Sequence, residues 1–425
     1  MKRSQVGLLA AFLLAFCMWF YVQHVLIPHQ VAEATRLAEP RGNLSDLYPR
    51  WLGTKELLLH HRDPYGSDVT REIQEGYYGR ALDLDRPNDP QDQQGFAYPV
   101  YVVFLLAPFV HLPFAAVEIV FRWLLMLATV ASVLLWLRAL RWQPPLATIA
   151  TIVLLCAGSF PVLQGLKLQQ LTLLVAPMIA GSVTLLSKKP FLSGCILALG
   201  AIKPQLVLPL AAWLLLWAIS DLRRRQKWVW GFAGTLGLLC AAGEYVLPGW
   251  FGRFQVGLVA YRQYTDGAES ILEVLLGTFW GRLLMALIVL GVAGLCWRLR
   301  KMTLDSPPVQ AVIALILSAT VVIAPKTAPY NQVLLLPPIL FLVRSWSEIF
   351  RARTRRAVAV GVACLVVWPW AAALGLMLAC LFLPASSVQH AWALPLYPSL
   401  MIPPAIMLLV ILYFMGPLES GATEA

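Results

Sequence analysis

Charge is what this sequence has least of. Asp, Glu, Lys and Arg together make up 13% of its 425 residues, against 59% hydrophobic, whereas ordinary soluble proteins carry about 25% charge. A soluble chain of this length would not cover its surface with so few charges, and a disordered one would not be so apolar. Cysteine is sparse as well. The seven copies are odd in number, lie in apolar runs and include no CxxC pair, which excludes a disulfide framework and a zinc ribbon. The six histidines form no ligand pair at helical spacing, and the adjacent His60 and His61 would point apart on a helix. Asp83, Asp85, Asp89 and Asp92 lack the glycine and terminal glutamate of a calcium loop and read as a solvated turn. There is no Walker loop, dinucleotide fingerprint or nucleophile elbow. No metal site and no cofactor are therefore expected. These absences leave an all-α polytopic membrane protein.

The formal net charge of +11 resolves into parts once it is mapped. Residues 28–97 carry twelve acids and eight bases. Eighteen of the other bases stand in short clusters between apolar runs: Lys2/Arg3, Arg138/Arg141, Lys188/Lys189, Arg223 to Lys227, Arg298 to Lys301, and Arg344 to Arg356. Basic residues in short loops beside spans mark the cytoplasmic side. No aromatic-interleaved basic stripe accompanies them, so nucleic acid is not an expected partner. The membrane lipids are.

A span needs about 20 apolar residues. The first run, 6–22, follows Lys2-Arg3 and continues through Ile27. Ala32-Glu33-Ala34 has the small-residue spacing of a signal-peptide cleavage site, but the length of the run favours an uncleaved span with its N-terminus inside. Further spans are expected at 114–137, 146–162, 171–186, 229–247, 275–297, 309–323, 333–343, 357–383 and 395–415. Alternating them puts every basic cluster inside, with 28–97, 248–273, 326–331 and 384–394 outside and the C-terminus inside. Two units are irregular: the proline-rich 98–113, and a pair of half-spans, 191–202 and 206–219, with Lys203 at the turn. The expected organisation is a first transmembrane helix (1–27), an extracytoplasmic loop with surface helices (28–97), a transmembrane module with broken helices (98–345) and C-terminal transmembrane helices with a short tail (346–425). The setting is an integral, multi-pass protein of a cell (inner) membrane. No internal repeat is evident, which weighs against transporters built from inverted repeats.

Seven bases remain: Arg122, Lys167, Lys203, Arg253, Arg262, Arg282 and Lys326. They fall at or near the outer face. An intramembrane base marks a functional site by default because its burial is costly; the alternative is a side chain that snorkels to the interface. Gathered cations open to lipid suit an anionic ligand such as a lipid phosphate, and the acidic loop is then where a carboxylate would be sought. Asp46 stands close to the membrane after the first span. Solvated decoration is the competing reading for any single loop aspartate. Trp51, Leu52, Leu57, Leu58 and Leu59 follow at helical spacing, as in a helix lying on the outer surface. Three functional classes fit the residues: an enzyme acting on a lipid phosphate, a lipid or solute transporter or flippase, and a non-catalytic assembly subunit.

Several stretches in order resemble glycosyltransferase family 87, one of the polyprenyl-phosphate-sugar-dependent glycosyltransferases of the GT-C class. They are Asp46-Leu47-Tyr48 at the start of the first outer loop and Asp63-Pro64-Tyr65 one helix later. Phe96, Tyr98-Pro99, Ala107-Pro108 and Leu112-Pro113 come next, followed by Pro161-Val162-Leu163 through Gln169-Gln170 and Gly194 through Lys203-Pro204. The resemblance implies a GT-C fold, to which the ten expected spans and two irregular units give about ten to thirteen transmembrane helices and a large first extracytoplasmic loop. It implies Asp46 as general base and donor contacts at Gln170 and Lys203, with Lys167 and Arg262 among the cations near the lipid phosphate. Tyr48, Asp63, Tyr65 and Tyr98 are its candidate substrate contacts. Where relatives carry a late histidine, this chain has Ala324-Pro325-Lys326-Thr327-Ala328-Pro329-Tyr330-Asn331, so the donor phosphate there would pass to Lys326 or Asn331. The implied partners are a polyprenyl-phosphate sugar donor, mannose among the sugars, and an extracytoplasmic glycolipid or glycan acceptor. The chemistry is physically economical. One base takes the acceptor hydroxyl proton, the phosphate leaving group needs charge stabilisation rather than a second acid, and direct displacement inverts the anomeric carbon by analogy with glycosidases.

Overall fold

Long apolar runs have one backbone solution away from water, the helix, in which each N–H and C=O is satisfied within its own segment. A computed structural model describes residues 3–36, 45–83, 85–86, 89–90, 92–264, 269–304, 306–325 and 328–422, with only the backbone for 3–4, 262–264 and 415–422. Every regular element among the described residues is helical.

The chain opens with α1 (Arg3–Tyr21), a π-helical turn and α2 (Ile27–Arg36), which run together as one 32-residue rod from Gln5. Two helices of the acidic segment follow, α3 (Leu47–His60) and α4 (Ser67–Tyr78). Next come α5 (Phe114–Ala139), α6 (Leu146–Ala157), α7 (Phe160–Lys167), α8 (Thr172–Leu185), α9 (Pro190–Leu199), α10 (Pro204–Ile219) and α11 (Leu222–Val246). The last third holds α12 (Trp250–Tyr264), α13 (Ile271–Leu276), α14 (Thr278–Leu299), α15 (Pro307–Ile323), α16 (Leu336–Arg344), α17 (Arg353–Ala379) and α18 (Ile402–Ala422), with short turns of helix between some of them. Among the described residues, five helices are long and apolar enough to cross a membrane: the initial rod, α5, α11, α14 and α17. A sixth counts if α6 and α7 form one span bent by 55°. Six shorter apolar helical stretches accompany them.

Proline and glycine account for the breaks. Pro190, Pro204 and Pro307 each stand in the first turn of a helix, where the missing N–H costs nothing. Gly277 at φ +78° separates α13 from α14. The expected single crossing at 146–162 is instead bent at Gly158 and Ser159, and the expected helix at 333–343 begins as 3-10 turns over Pro329–Leu335.

Apolar side chains both fill the core and cover much of the outer surface. The helix α15 is buried on all sides from Val309 to Val322. On α11 and α14, Trp230, Leu238, Phe279 and Leu290 are exposed, as befits surfaces that face lipid. Without a hydrophobic drive between helices, close approach depends on small residues. Gly194 on α9 meets α11 at Gly231, and a Cβ at either position would strike the partner helix's backbone.

The acidic segment is folded rather than loose. Trp51, Leu52 and Leu57 of α3 are buried, Leu58 is partly so, and Leu59 is exposed. Arg62 joins α3 to α4 through Glu56 at 2.6 Å, Glu72 at 2.7 Å and Asp68 at 3.2 Å.

Candidate active site

Asp46 stands immediately before α3 with no side-chain cap on it, and two contacts hold it against the turn between α7 and α8. Its backbone N–H donates to the Leu168 carbonyl at 3.1 Å. Its neighbour Ser45 donates from Oγ to Gln169 Oε1 at 2.6 Å, while Gln169 Nε2 donates to the Glu118 carbonyl on α5, also at 2.6 Å. Gln169 has a left-handed backbone, φ +50°, which turns it away from its neighbour Gln170. One glutamine therefore anchors the chain beside Asp46 while the other faces the carboxylate itself.

Gln170 forms the centre of the site. Its amide nitrogen donates to Asp46 Oδ2, and its Oε1 accepts from Lys203 Nζ at 2.6 Å. Lys203 stands at the joint between the α9 unit and α10, 5% exposed. It also donates to Thr172 Oγ1 at 2.8 Å, which in turn donates to Asn331 Oδ1 at 3.1 Å. The ammonium lies 5.0 Å from the Tyr330 ring centroid and 5.8 Å from that of Tyr98. A single buried amide thus links a cation to a carboxylate across three separate segments of chain.

These groups border a cavity of about 330 Å³ whose walls include Asp46, Gln170, Lys203, Tyr98, Tyr330 and Asn331. Burial pushes the Asp46 carboxyl above the usual carboxylate range, and Asp92 adds to the rise; Arg50, the Gln170 hydrogen bond and Lys203 pull it back. A carboxylate raised in this way is a stronger base than an exposed one.

Of the sequence-predicted residues, Asp46, Gln170, Lys203, Tyr98 and Asn331 meet at the cavity. Tyr48, Asp63, Tyr65 and Lys167 are not among its walls. The Tyr48 ring packs edge-on to Phe114, 5.0 Å between centroids. Asp63 pairs with Arg253 at 2.5 Å and accepts from the Tyr65 N–H at 3.0 Å, and the Tyr65 hydroxyl donates to the Tyr98 carbonyl at 2.6 Å. This set braces the cavity wall from behind. Lys167 reaches Gln30 on α2 at 3.2 Å. Lys326 and the Arg262 side chain lie outside the described residues.

Two residues of the acidic segment that were not among the sequence-predicted site residues line the cavity as well. Arg50, one turn after Asp46 on α3, holds its guanidinium 4.6 Å from the Tyr98 ring centroid, and its buried Nε has no hydrogen-bond partner among the described residues. Asp92, from the group of aspartates read as a turn, is the second carboxylate in the wall. The signal available for Arg50 was its i, i+4 spacing from Asp46 on a helix. Among the described residues, no three His, Cys, Asp or Glu side chains gather as metal ligands.

A second cavity of about 450 Å³ adjoins the first and is almost wholly apolar. It runs between α10, α14 and α15 past Trp213, Leu216, Val289, Val292 and Ile316. Gln205 and Pro325 border both spaces. From Gln205 to Leu216 the groove follows α10 for about 17 Å at the helical rise.

The model of glycosyltransferase family 87 matches residues 96–325, more than half of the chain. Tyr98, Gln170 and Lys203 fall within that stretch; Asp46 and Arg50 precede it and Asn331 follows it. Among curated proteins none matches the chain.

Proposed function

The chain belongs to glycosyltransferase family 87, and on that premise we propose that it moves a sugar from a polyprenyl-phosphate donor to an extracytoplasmic glycolipid or glycan, with inversion. Mannose is the sugar that the resemblance implies. The observation that carries the proposal is the junction at Gln205 and Pro325, where the cavity holding Asp46, Arg50 and Lys203 borders an apolar groove among membrane helices. A donor with a charged phosphate and a long hydrocarbon tail matches that pair of spaces.

In the proposed step the acceptor hydroxyl oxygen attacks the anomeric carbon and gives its proton to the Asp46 carboxylate. The bond from that carbon to the phosphate oxygen breaks, and its electron pair leaves with the polyprenyl phosphate. Lys203 and Arg50 offset the charge that develops on the phosphate, in surroundings where water does not screen them. Tyr98, Tyr330 and Asn331 supply part of the remaining polar and aromatic wall. The long helices together with the shorter apolar stretches support a GT-C fold of ten to thirteen crossings. The flanking basic clusters support termini in the cytoplasm and the Asp46 face outside.

The test is transfer by the purified protein in lipid nanodiscs. A panel of polyprenyl-phosphate sugars and the corresponding nucleotide sugars is offered with extracted membrane glycolipid as acceptor. Product is expected from a polyprenyl-phosphate sugar, and Asp46→Asn, which keeps the shape of the side chain, is expected to lose about 10²- to 10⁴-fold in rate. Transfer from nucleotide sugars alone would refute the donor class; full activity of Asp46→Asn would refute the base.

A further inference from the structure

A third cavity, of about 890 Å³, lies at the other end of the helices that frame the site. The helix α5 begins at Phe114, against Tyr48, and its last residues line this cavity. Its 26 residues span about 39 Å, enough to cross a bilayer's hydrocarbon core. The helix α8 likewise starts beside Lys203 and ends here, and α15 contributes Gln310, Ile313 and Ala314. The cavity therefore faces the opposite leaflet from Asp46.

Its chemistry divides by depth. The polar end carries Arg138, Arg141 and Lys188, all exposed, and no acid is among the described residues that line it. Arg141 occupies the left-handed position that closes α5, φ +52°, with its N–H on Arg138 and the Trp142 N–H on the Leu137 carbonyl. Glycine is the usual residue in that conformation, so an arginine is held there against its backbone preference. Arg344 fixes the turn from below by donating to the Leu140 carbonyl and, at 3.1 Å, to Gln310 Oε1. The remaining walls are apolar and include Leu137, Val183, Leu185 and Ile313. Leu134 is 42% exposed at the cavity margin, about 6 Å deeper along α5 than Arg138 at the helical rise. The space is thus cationic where a headgroup would lie and open to hydrocarbon where a chain would lie.

We propose that this cavity binds an anionic phospholipid of the leaflet opposite Asp46. Arg138, Arg141 and Lys188 hold its phosphate, and an acyl chain lies along Leu134, Val183 and Ile313. A soluble phosphate compound would meet the cationic end but leave the apolar wall bare. A zwitterionic lipid would fill the wall but bring its own positive charge to the cations.

The test uses the full chain in detergent micelles, titrated with phosphatidylglycerol or phosphatidylcholine of identical acyl chains and followed by native mass spectrometry. One tightly held phosphatidylglycerol is expected. Replacing all three cations by alanine (Arg138→Ala, Arg141→Ala, Lys188→Ala) should weaken it on the order of a hundredfold without changing phosphatidylcholine binding. The charge-preserving set Arg138→Lys, Arg141→Lys and Lys188→Arg should retain most of the affinity. Val183→Phe, which fills the wall and leaves the cations in place, should lose it. Alanine at Arg353, Arg355 and Arg356 controls for general attraction to basic loops and should have no effect. If the triple alanine variant fails to fold, Val183→Phe and the charge-preserving set decide the matter. Equal affinity for the two lipids, an unaffected Val183→Phe variant, or displacement of phosphatidylglycerol by inorganic phosphate would overturn the proposal.

Discussion

Replacing Gln170 with leucine interrogates the link between Asp46 and Lys203. The glutamine is buried, with its oxygen on Lys203 Nζ at 2.6 Å and its amide nitrogen on the Asp46 carboxylate. Leucine fills nearly the same volume and can make neither bond. A hydrogen bond to a charged group contributes about 1.5–3 kcal/mol. The lost donor on Asp46 favoured only the ionised form, so its removal raises a pKa that burial has already pushed up. Because a carboxylate of higher pKa protonates earlier on acidification, the acid limb of kcat/KM moves to higher pH. The assay is initial transfer rate from about pH 4 to pH 9 at low donor fraction in nanodiscs, beside the unmodified protein. An unmoved limb would mean that Asp46 ionisation does not govern the rate. A limb shifted to lower pH would mean that Lys203 has closed directly onto Asp46 and that the amide had been holding the charges apart.

Arg50→Met removes a guanidinium whose Nε has no partner among the described residues; transfer should fall about 10- to 100-fold, from the loss of one charge-assisted hydrogen bond to the donor phosphate. Asp63→Asn breaks a pair with Arg253 in which both side chains are partly exposed, so kcat/KM should change less than about fivefold, in keeping with the small value of such pairs; a larger loss would return Asp63 to the substrate. Gly194→Val forces a side chain into the α11 backbone and should destabilise the fold by about 1–3 kcal/mol, read as a lower midpoint in detergent thermal unfolding.

The sequence exposes most of the scaffold because membrane helices leave a coarse mark. The run 114–137 appears as Phe114–Ala139 and 309–323 as Pro307–Ile323, each bounded by proline or charge. Lys203 was legible for the converse reason, as a cation between apolar pieces with no topological duty. Arg50 and Asp92 were not legible, since in a loop dense with charge each reads as solvated. Only the folded segment separates them from the rest: Arg62 gathers Glu56, Asp68 and Glu72, and Arg80 takes Asp89, while Arg50 stays at the cavity. The opposite tasks of Gln169 and Gln170 were equally hidden, because they depend on a left-handed backbone at Gln169 that composition does not encode.

The shared border of Gln205 and Pro325 bears on how catalysis by this protein is to be counted. On the proposed reading the donor's tail lies in a groove among membrane helices and the donor reaches the site by lateral diffusion, so its effective concentration is its mole fraction in the bilayer and not its molarity in the tube. Detergent monomers with alkyl tails would then compete for the same groove. Rates measured in micelles should therefore fall as detergent is added at fixed total donor, through surface dilution and occupancy together, and recover when the protein is returned to a bilayer. For this fold the solvent of the reaction is also one of its inhibitors.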